Sequence, residues 1–201
     1  MKTLSIVAIT AFAFLGLANF ASAQNPFQVS STTFENNDIL PIRVIDNNPV
    51  LTPQGTFGNE CAPGPNFEEG GNQSPALTWT NIPFNTLSFA VIAYDATAQV
   101  FHWGMYNIIN KTSLPENAGV EESTFGRQVR NYSGKLGYIG PCPPPNDERG
   151  DPHNYVFTVY ALRRVLELPR NSDGLALQRA VAGRLAEASI SGRWSSTPST
   201  P

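Results

Sequence analysis

The segment that decides the fold is Leu87-Ser88-Phe89-Ala90-Val91-Ile92-Ala93-Tyr94, which is apolar at nearly every position. A short continuous apolar run of this kind is typical of a strand that is buried on both faces. Two later segments, His102 to Ile109 and Tyr155 to Leu162, predict two more strands, and Leu77 to Trp79 predicts a shorter one. With 17 prolines and 16 glycines among 201 residues, the chain favours strands and loops over a helical bundle.

Alternation along the second strand predicts how its side chains divide between the two faces of a sheet. One face would carry His102, Gly104, Tyr106 and Ile108, and the other would carry Trp103, Met105, Asn107 and Ile109.

One helix is predicted near the carboxyl end, over residues 173–188, because apolar residues recur there about every four positions. Ser172 or Asp173 could cap its start. Gly183 inside it would cost roughly 1 kcal/mol relative to alanine, which indicates close packing at that point. A further strand is predicted from Ser189 to Trp194, and Gln54 to Asn72 is interpreted as a long loop that holds Cys61.

The first 23 residues have the pattern of an export signal. One positive charge at Lys2 precedes a nearly continuous apolar run over residues 4–20, and Ala21-Ser22-Ala23 follows. We therefore expect a cleaved signal peptide over 1–23, a single domain over 24–194 and a flexible tail over 195–201. The alternative is a membrane anchor, but the run is of borderline length and no basic stop-transfer cluster follows it. The protein would then be secreted or periplasmic, without stable membrane insertion after cleavage.

The two cysteines, Cys61 and Cys142, are interpreted through that expected location. In an oxidising compartment an even pair is compatible with a disulfide, and two unpaired thiols are the alternative.

Composition excludes several classes of protein. Charged residues make up 14% of the chain and the formal net charge is −3, without a basic run, which argues against nucleic-acid binding. Low charge combined with 10% aromatic residues also argues against a disordered chain.

If the ends of the three buried strands are neighbours, four polar residues lie along one concave rim. Asp95 ends the first buried strand, His102 opens the second, and His153 precedes Tyr155 by two residues, which places both on one face of the third strand. Two imidazoles and a phenol could donate hydrogen bonds to an anion, while Asp95 fixes a tautomer or accepts from a ligand. The alternative is that these histidines are structural.

A second feature is the segment Gly140-Pro141-Cys142-Pro143-Pro144-Pro145. Proline fixes φ and removes a donor, so the segment predicts a rigid wall, and Gly140 could bring its backbone N–H close to a ligand. The alternative is a polyproline segment on the surface.

Several motifs, in this order, resemble those of the phosphatidylethanolamine-binding protein family, in its bacterial Raf-kinase-inhibitor-like branch. The resemblance spans about residues 27–194. The motifs that carry it are Asn72-Gln73-Ser74-Pro75-Ala76-Leu77-Thr78-Trp79, Tyr94-Asp95, Phe101-His102-Trp103, Leu114-Pro115-Glu116, Gly137-Tyr138-Ile139-Gly140-Pro141-Cys142-Pro143-Pro144 and His153-Asn154-Tyr155-Val156-Phe157.

The resemblance implies a mainly β fold in which a central antiparallel sheet packs on a smaller sheet, with a C-terminal helix near an anion pocket. In that family the pocket binds phosphate or a phospholipid headgroup and is not catalytic, so no cofactor, metal or catalytic residue is expected. The positions that match the pocket lining are Asp95, His102, Gly140, His153 and Tyr155. The loop Asp95-Ala96-Thr97-Ala98-Gln99 departs from the family's Asp-Pro-Asp-Ala-Pro, which implies a looser mouth with one carboxylate fewer.

Three functional hypotheses follow. The first is an exported, non-catalytic binder of a small anion or phosphorylated headgroup. The second is a protease or kinase inhibitor-like interaction protein that acts through surface loops such as 54–72 and 111–135. The third is a hydrolase with Asp95, His102 and His153 as metal ligands.

Overall fold

The computed structural model describes residues 25–51, 57–61 and 70–197. The predicted signal peptide and the last four residues of the predicted tail lie outside that range. Within it, no helix is long and apolar enough to cross a membrane.

Two β-sheets and a short hairpin form the framework. The large sheet has six strands in the order β2-β11-β10-β6-β7-β9, the small sheet has the order β1-β5-β8, and β3 pairs with β4. All pairings are antiparallel except that of β2 with β11. The strands are β1 (Gln28–Ser30), β2 (Asp38–Ile39), β3 (Pro49–Leu51), β4 (Phe57–Asn59), β5 (Leu77–Thr80), β6 (Ser88–Asp95), β7 (Val100–Ile108), β8 (Ser113–Leu114), β9 (Arg127–Gln128), β10 (His153–Leu162) and β11 (Ala186–Trp194).

Strand β6 is buried on both faces, as its continuous apolar run predicts. Phe89, Val91 and Ala93 belong to the larger core cluster, which fills the space between the two sheets. Ala90 and Ile92 point to the opposite side and pack with Leu162, Leu166, Leu177 and Val181 in a smaller cluster. The predicted class, a mainly β protein with a central sheet packed on a smaller one and a helix near the carboxyl end, is confirmed.

The predicted alternation along β7 is wrong at two positions, because the strand contains irregularities. Asn107 has φ of +57°, which breaks the alternation and places Ile108 in the larger cluster with Trp103 and Met105. A register shift lies opposite the Phe101-to-Trp103 step, since Ala93 pairs with Trp103 and Tyr94 with Phe101. The extra residue in this bulge is His102, which therefore faces Tyr155 instead of sharing a face with Tyr106.

The carboxyl-terminal helix is shorter than predicted. Helix α1 spans Gly174–Ala180, and a 3₁₀ turn over Val181–Gly183 ends it. Asp173 caps the start by accepting the Ala176 N–H at 3.0 Å. Apolar residues continue to recur about every four positions after the helix ends, but they are not helical there. Residues 186–192 belong to β11 and alternate inward and outward.

Two smaller predictions are also wrong. Gly183 is exposed, and a Cβ built there would meet no atom within 4 Å, so its presence does not reflect close packing. The predicted loop from Gln54 to Asn72 contains a strand, β4, which pairs with β3.

Candidate functional site

A cavity of about 150 Å³ opens at one end of the large sheet. It forms there because β6 ends at Asp95, β7 begins opposite it at Val100, and the start of β10 brings Tyr155 into register with Asp95. The cavity is lined by Asp95, Ala98, Val100, His102, Tyr132, Cys142, Pro143, Pro144, Arg149, His153 and Tyr155. Four of the five residues predicted as pocket lining therefore meet here.

His153 lies between two carboxylates. Its Nδ1 is 2.7 Å from Asp95 Oδ2, and its Nε2 is 3.1 Å from Asp147 Oδ2. The histidine side chain is 1% exposed, so water does not replace these partners. Both contacts are hydrogen bonds at the same time when both ring nitrogens carry protons. His153 is thus bonded to the protein at both nitrogens.

The carboxylate of Asp95 is bonded internally at both oxygens. Oδ2 accepts from His153, while Oδ1 accepts the N–H groups of Thr97 and Ala98, each at 2.9 Å. The bonds from Thr97 and Ala98 show that the loop after Asp95 folds onto the carboxylate, although its sequence differs from the family's usual one. Asp95 therefore orients His153 and closes its own loop.

His102 has a different environment. Its Nδ1 lies 2.8 Å from the Ile139 carbonyl oxygen, which only accepts, so Nδ1 carries the proton. Burial lowers the pKa of His102, against the opposing effects of the Ile139 and Gly140 backbone and the Asp95 charge. The neutral ring then has an acceptor lone pair at Nε2, and among the described residues the hydrogen bond of this ring is the one at Nδ1.

Two tyrosines pack edge-on against His102. The ring centroids of Tyr155 and Tyr132 lie 5.3 and 5.2 Å from that of the imidazole. Burial, the charge of Asp95 and a hydrogen bond to Asp95 raise the pKa of Tyr155 well above its usual value, so the phenol remains a donor. Tyr132 was not predicted; it comes from the irregular stretch after β9 and is 52% exposed at the cavity mouth.

The proline-rich segment forms one wall of the cavity through Cys142, Pro143 and Pro144. A disulfide joins Cys142 to Cys61, which is fully buried. Gly140 differs from the prediction, because its N–H donates to Asn72 Oδ1 at 2.8 Å and it does not line the cavity. A Cβ at Gly140 would lie 2.3 Å from the Val44 carbonyl oxygen, so this glycine allows two backbone segments to approach closely.

Sequence reasoning also missed Asp147 and Arg149, which follow the proline wall. Nε and Nη2 of Arg149 donate to the Asp147 carboxylate, and the Asp147 side chain is 8% exposed. This pairing holds the pKa of Asp147 well below its usual range. One signal in the sequence could have indicated them. Residues Asp147 to Arg149 are three consecutive charged residues in a chain that has few charges.

The hypothesis of a metal-dependent hydrolase receives no support from the described ranges. No group of three or more His, Cys, Asp or Glu side chains within them could hold a metal ion. The hypothesis of a partner surface on loops 54–72 and 111–135 stays a prediction.

The fold and the cavity together define a class: a two-sheet β protein with a small polar cavity at the end of the central sheet. The family model for "Phosphatidylethanolamine-binding protein" matches residues 30–195. The chain belongs to this family, which confirms the predicted membership.

Named relatives agree with this assignment. The UPF0098 protein YbcL of Escherichia coli is 34% identical over 202 residues, covering 94% of this chain and 96% of that protein. The crystal structure of E. coli YbcL, described as a new member of the mammalian PEBP family, superposes with a TM-score of 0.68 at 33% identity, covering 84% and 98% of the two chains. A putative lipoprotein, LppC of Mycobacterium tuberculosis, is 32% identical over 117 residues, 57% of this chain and 55% of its own length.

Proposed function

We propose that this chain is an exported, non-catalytic binding protein whose cavity receives a small anion, such as phosphate or a phosphorylated headgroup. The observation that carries the proposal is the convergence of His102, Tyr155 and Arg149 on one cavity. Its volume, about 150 Å³, is below the roughly 300–1,000 Å³ of typical small-molecule sites, which favours an ion or a headgroup over a whole metabolite.

The donors suit an anion for specific reasons. The Arg149 guanidinium is a permanent cation with several donors. The Tyr155 phenol stays protonated, and it donates to an anion by turning its one O–H from Asp95 to the ligand. His102 can donate from Nε2 only after it gains a proton, because Nδ1–H is already committed to Ile139. Anion binding is therefore coupled to protonation of His102, and the bound anion supplies the charge that stabilises the imidazolium.

The absence of catalysis is argued from the same contacts. A general base or a nucleophile needs a free lone pair near the substrate. Asp95 and His153 use their oxygens and nitrogens within the free protein. The remaining lone pair, at His102 Nε2, is the one that we propose takes up a proton to hold the anion, and a protonated nitrogen is not a base.

Export is proposed from three observations. They are the predicted signal peptide over residues 1–23, the disulfide between Cys61 and Cys142, and the similarity to a protein named as a putative lipoprotein. Cell fractionation of the native host, with the protein found in the cytosol and its thiols reduced, would contradict this part of the proposal.

Calorimetric titration with sulfate at pH 6 tests the binding site, because sulfate is a dianion that does not itself titrate near neutral pH. We expect His102→Gln to weaken sulfate by at least tenfold, since a hydrogen bond to a charged group contributes about 1.5–3 kcal/mol. Lys135→Gln, which removes a cation from the neighbouring cavity, is the matched control and should leave the affinity unchanged. Equal sulfate affinity in His102→Gln and the parent chain would refute the proposed site.

A further inference from the structure

The Asp147 carboxylate occupies a place in which an anionic ligand could be bound. It accepts from His153 Nε2 at 3.1 Å and, through the same Oδ2 atom, from Arg149. It comes from the loop after the proline wall, so it reaches the site from outside the sheet. Two donors beside the cavity, His153 and Arg149, are therefore engaged by one internal carboxylate.

The Asp147–Arg149 pair is held by few contacts with the rest of the protein. Arg149 is 51% exposed at its side chain, and its bonds to Asp147 span only two residues. The Asp147 backbone carbonyl accepts from Gly150 within the same turn. The carboxylate can thus move away from His153 without disturbing a strand of the large sheet.

The Asp147 carboxylate places one negative charge against Arg149 and the His153 ring. A monoanion that displaced Asp147 would only exchange one negative charge for another. A dianion would gain a further attraction to Arg149 and to a protonated His102.

We propose that Asp147 is a built-in competitor that makes the cavity selective for dianionic phosphate monoesters over monoanions such as phosphodiesters and carboxylates. The proposal rests on the proposed anion-binding function and names the ligand class that the same site would take. When the ligand binds, Arg149 and His153 donate their hydrogen bonds to the phosphate instead of to the Asp147 carboxylate.

Calorimetry with methyl phosphate and dimethyl phosphate at pH 7.5 tests the selectivity, because the two esters are similar in size. The monoester is mostly a dianion at that pH, since its second pKa is about 6. We expect the parent chain to prefer the monoester by about tenfold or more. Asp147→Ala should bind both esters more tightly and reduce the preference to about threefold or less.

Two further variants complete the design. Asp147→Asn keeps the shape of the side chain, removes its charge, and should also narrow the preference. Glu148→Ala removes the same charge from the exposed neighbouring residue and should change neither affinity by more than about twofold. If Asp147→Ala and Asp147→Asn bind both esters as the parent does, or more weakly, Asp147 is a supporting residue and the inference is overturned. If neither the parent nor the variants bind methyl phosphate, the proposed function itself fails.

Discussion

The starts of β7 and β10 each place a buried histidine against the same cavity, but they surround these histidines differently. His153 is bonded at both nitrogens to carboxylates, whereas His102 is bonded at one nitrogen to a backbone carbonyl. The first arrangement fixes the ring in one orientation. The second holds a neutral ring whose other nitrogen is available. The difference shows that both nitrogens of His153 are held by the protein in the free state, whereas His102 offers one nitrogen directly to a ligand.

Replacing each histidine in turn should separate these two roles most strongly. His153→Gln leaves the Asp95 carboxylate, which is 3% exposed, without the ring that bonds its Oδ2, so we expect the free energy of unfolding to fall by about 3–5 kcal/mol. His102→Gln should cost about 1 kcal/mol, because it disturbs one hydrogen bond of a neutral ring. Urea unfolding of both variants measures the difference. Equal losses would show that the two histidines play the same part.

The disulfide supports the side of the cavity that holds His102. It joins Cys61 to Cys142 across a sequence separation of 81, and Cys142 follows Ile139, the partner of His102, by three residues. The double variant Cys61→Ser, Cys142→Ser should lose about 2–5 kcal/mol of stability and also bind sulfate more weakly. Unchanged stability on urea unfolding, or unchanged sulfate affinity, would show that the disulfide does not position the wall.

Gly140 should tolerate substitution less well than Gly183. A Cβ at Gly140 would meet the Val44 carbonyl oxygen at 2.3 Å, so Gly140→Ala should cost about 1–3 kcal/mol and displace the adjacent Ile139 carbonyl from His102. Gly183 has open space around it, so Gly183→Ala serves as the control and should be neutral or slightly stabilising. Thermal unfolding compares the two. A larger loss of stability in Gly183→Ala than in Gly140→Ala would contradict the role of Gly140 in the close approach of the two backbone segments.

The pH dependence of sulfate binding should come from His102. Burial lowers its pKa in the free protein, and the bound anion raises it, so the complex takes up a proton in the interval between the two values. Sulfate affinity should therefore rise as the pH falls through that interval, by at most about tenfold per pH unit. In His102→Gln this dependence should disappear. A slope that persists in the variant would assign the proton to another group.

The sequence predicted those parts of the molecule that depend on patterns along one strand. The apolar run of β6 predicted a strand buried on both faces, and the positions of Asp95, His102 and His153 at strand ends predicted that they would meet. The side that His102 faces was not predictable from alternation, because a single extra residue in β7 reverses it. Likewise, apolar residues that recur every four positions near the carboxyl end do not distinguish a continuous helix from a short helix followed by a turn and a strand.

The contacts made by loops were the least predictable part of the site. Asp147 reaches His153, six residues later, through the conformation of a turn that has no hydrophobic pattern. Gly140 was predicted to approach a ligand, but the backbone of residues 44–46 approaches it instead. For Gly140 the residue type indicated importance, whereas its partner depended on how distant segments fold together. For Asp147 the conformation of the turn decided the contact, and no sequence pattern indicated that contact.

The most direct test of the central claim is ¹⁵N NMR of the histidine side chains during a sulfate titration at pH 7. We expect His102 to begin as a neutral ring protonated at Nδ1 and to acquire the signals of an imidazolium as sulfate binds, while the His153 signals shift only as its Nε2 partner changes from Asp147 to sulfate. A His102 ring that stays neutral at saturating sulfate, or a titration that moves neither histidine, would contradict the assignment of His102 as the anion-binding histidine.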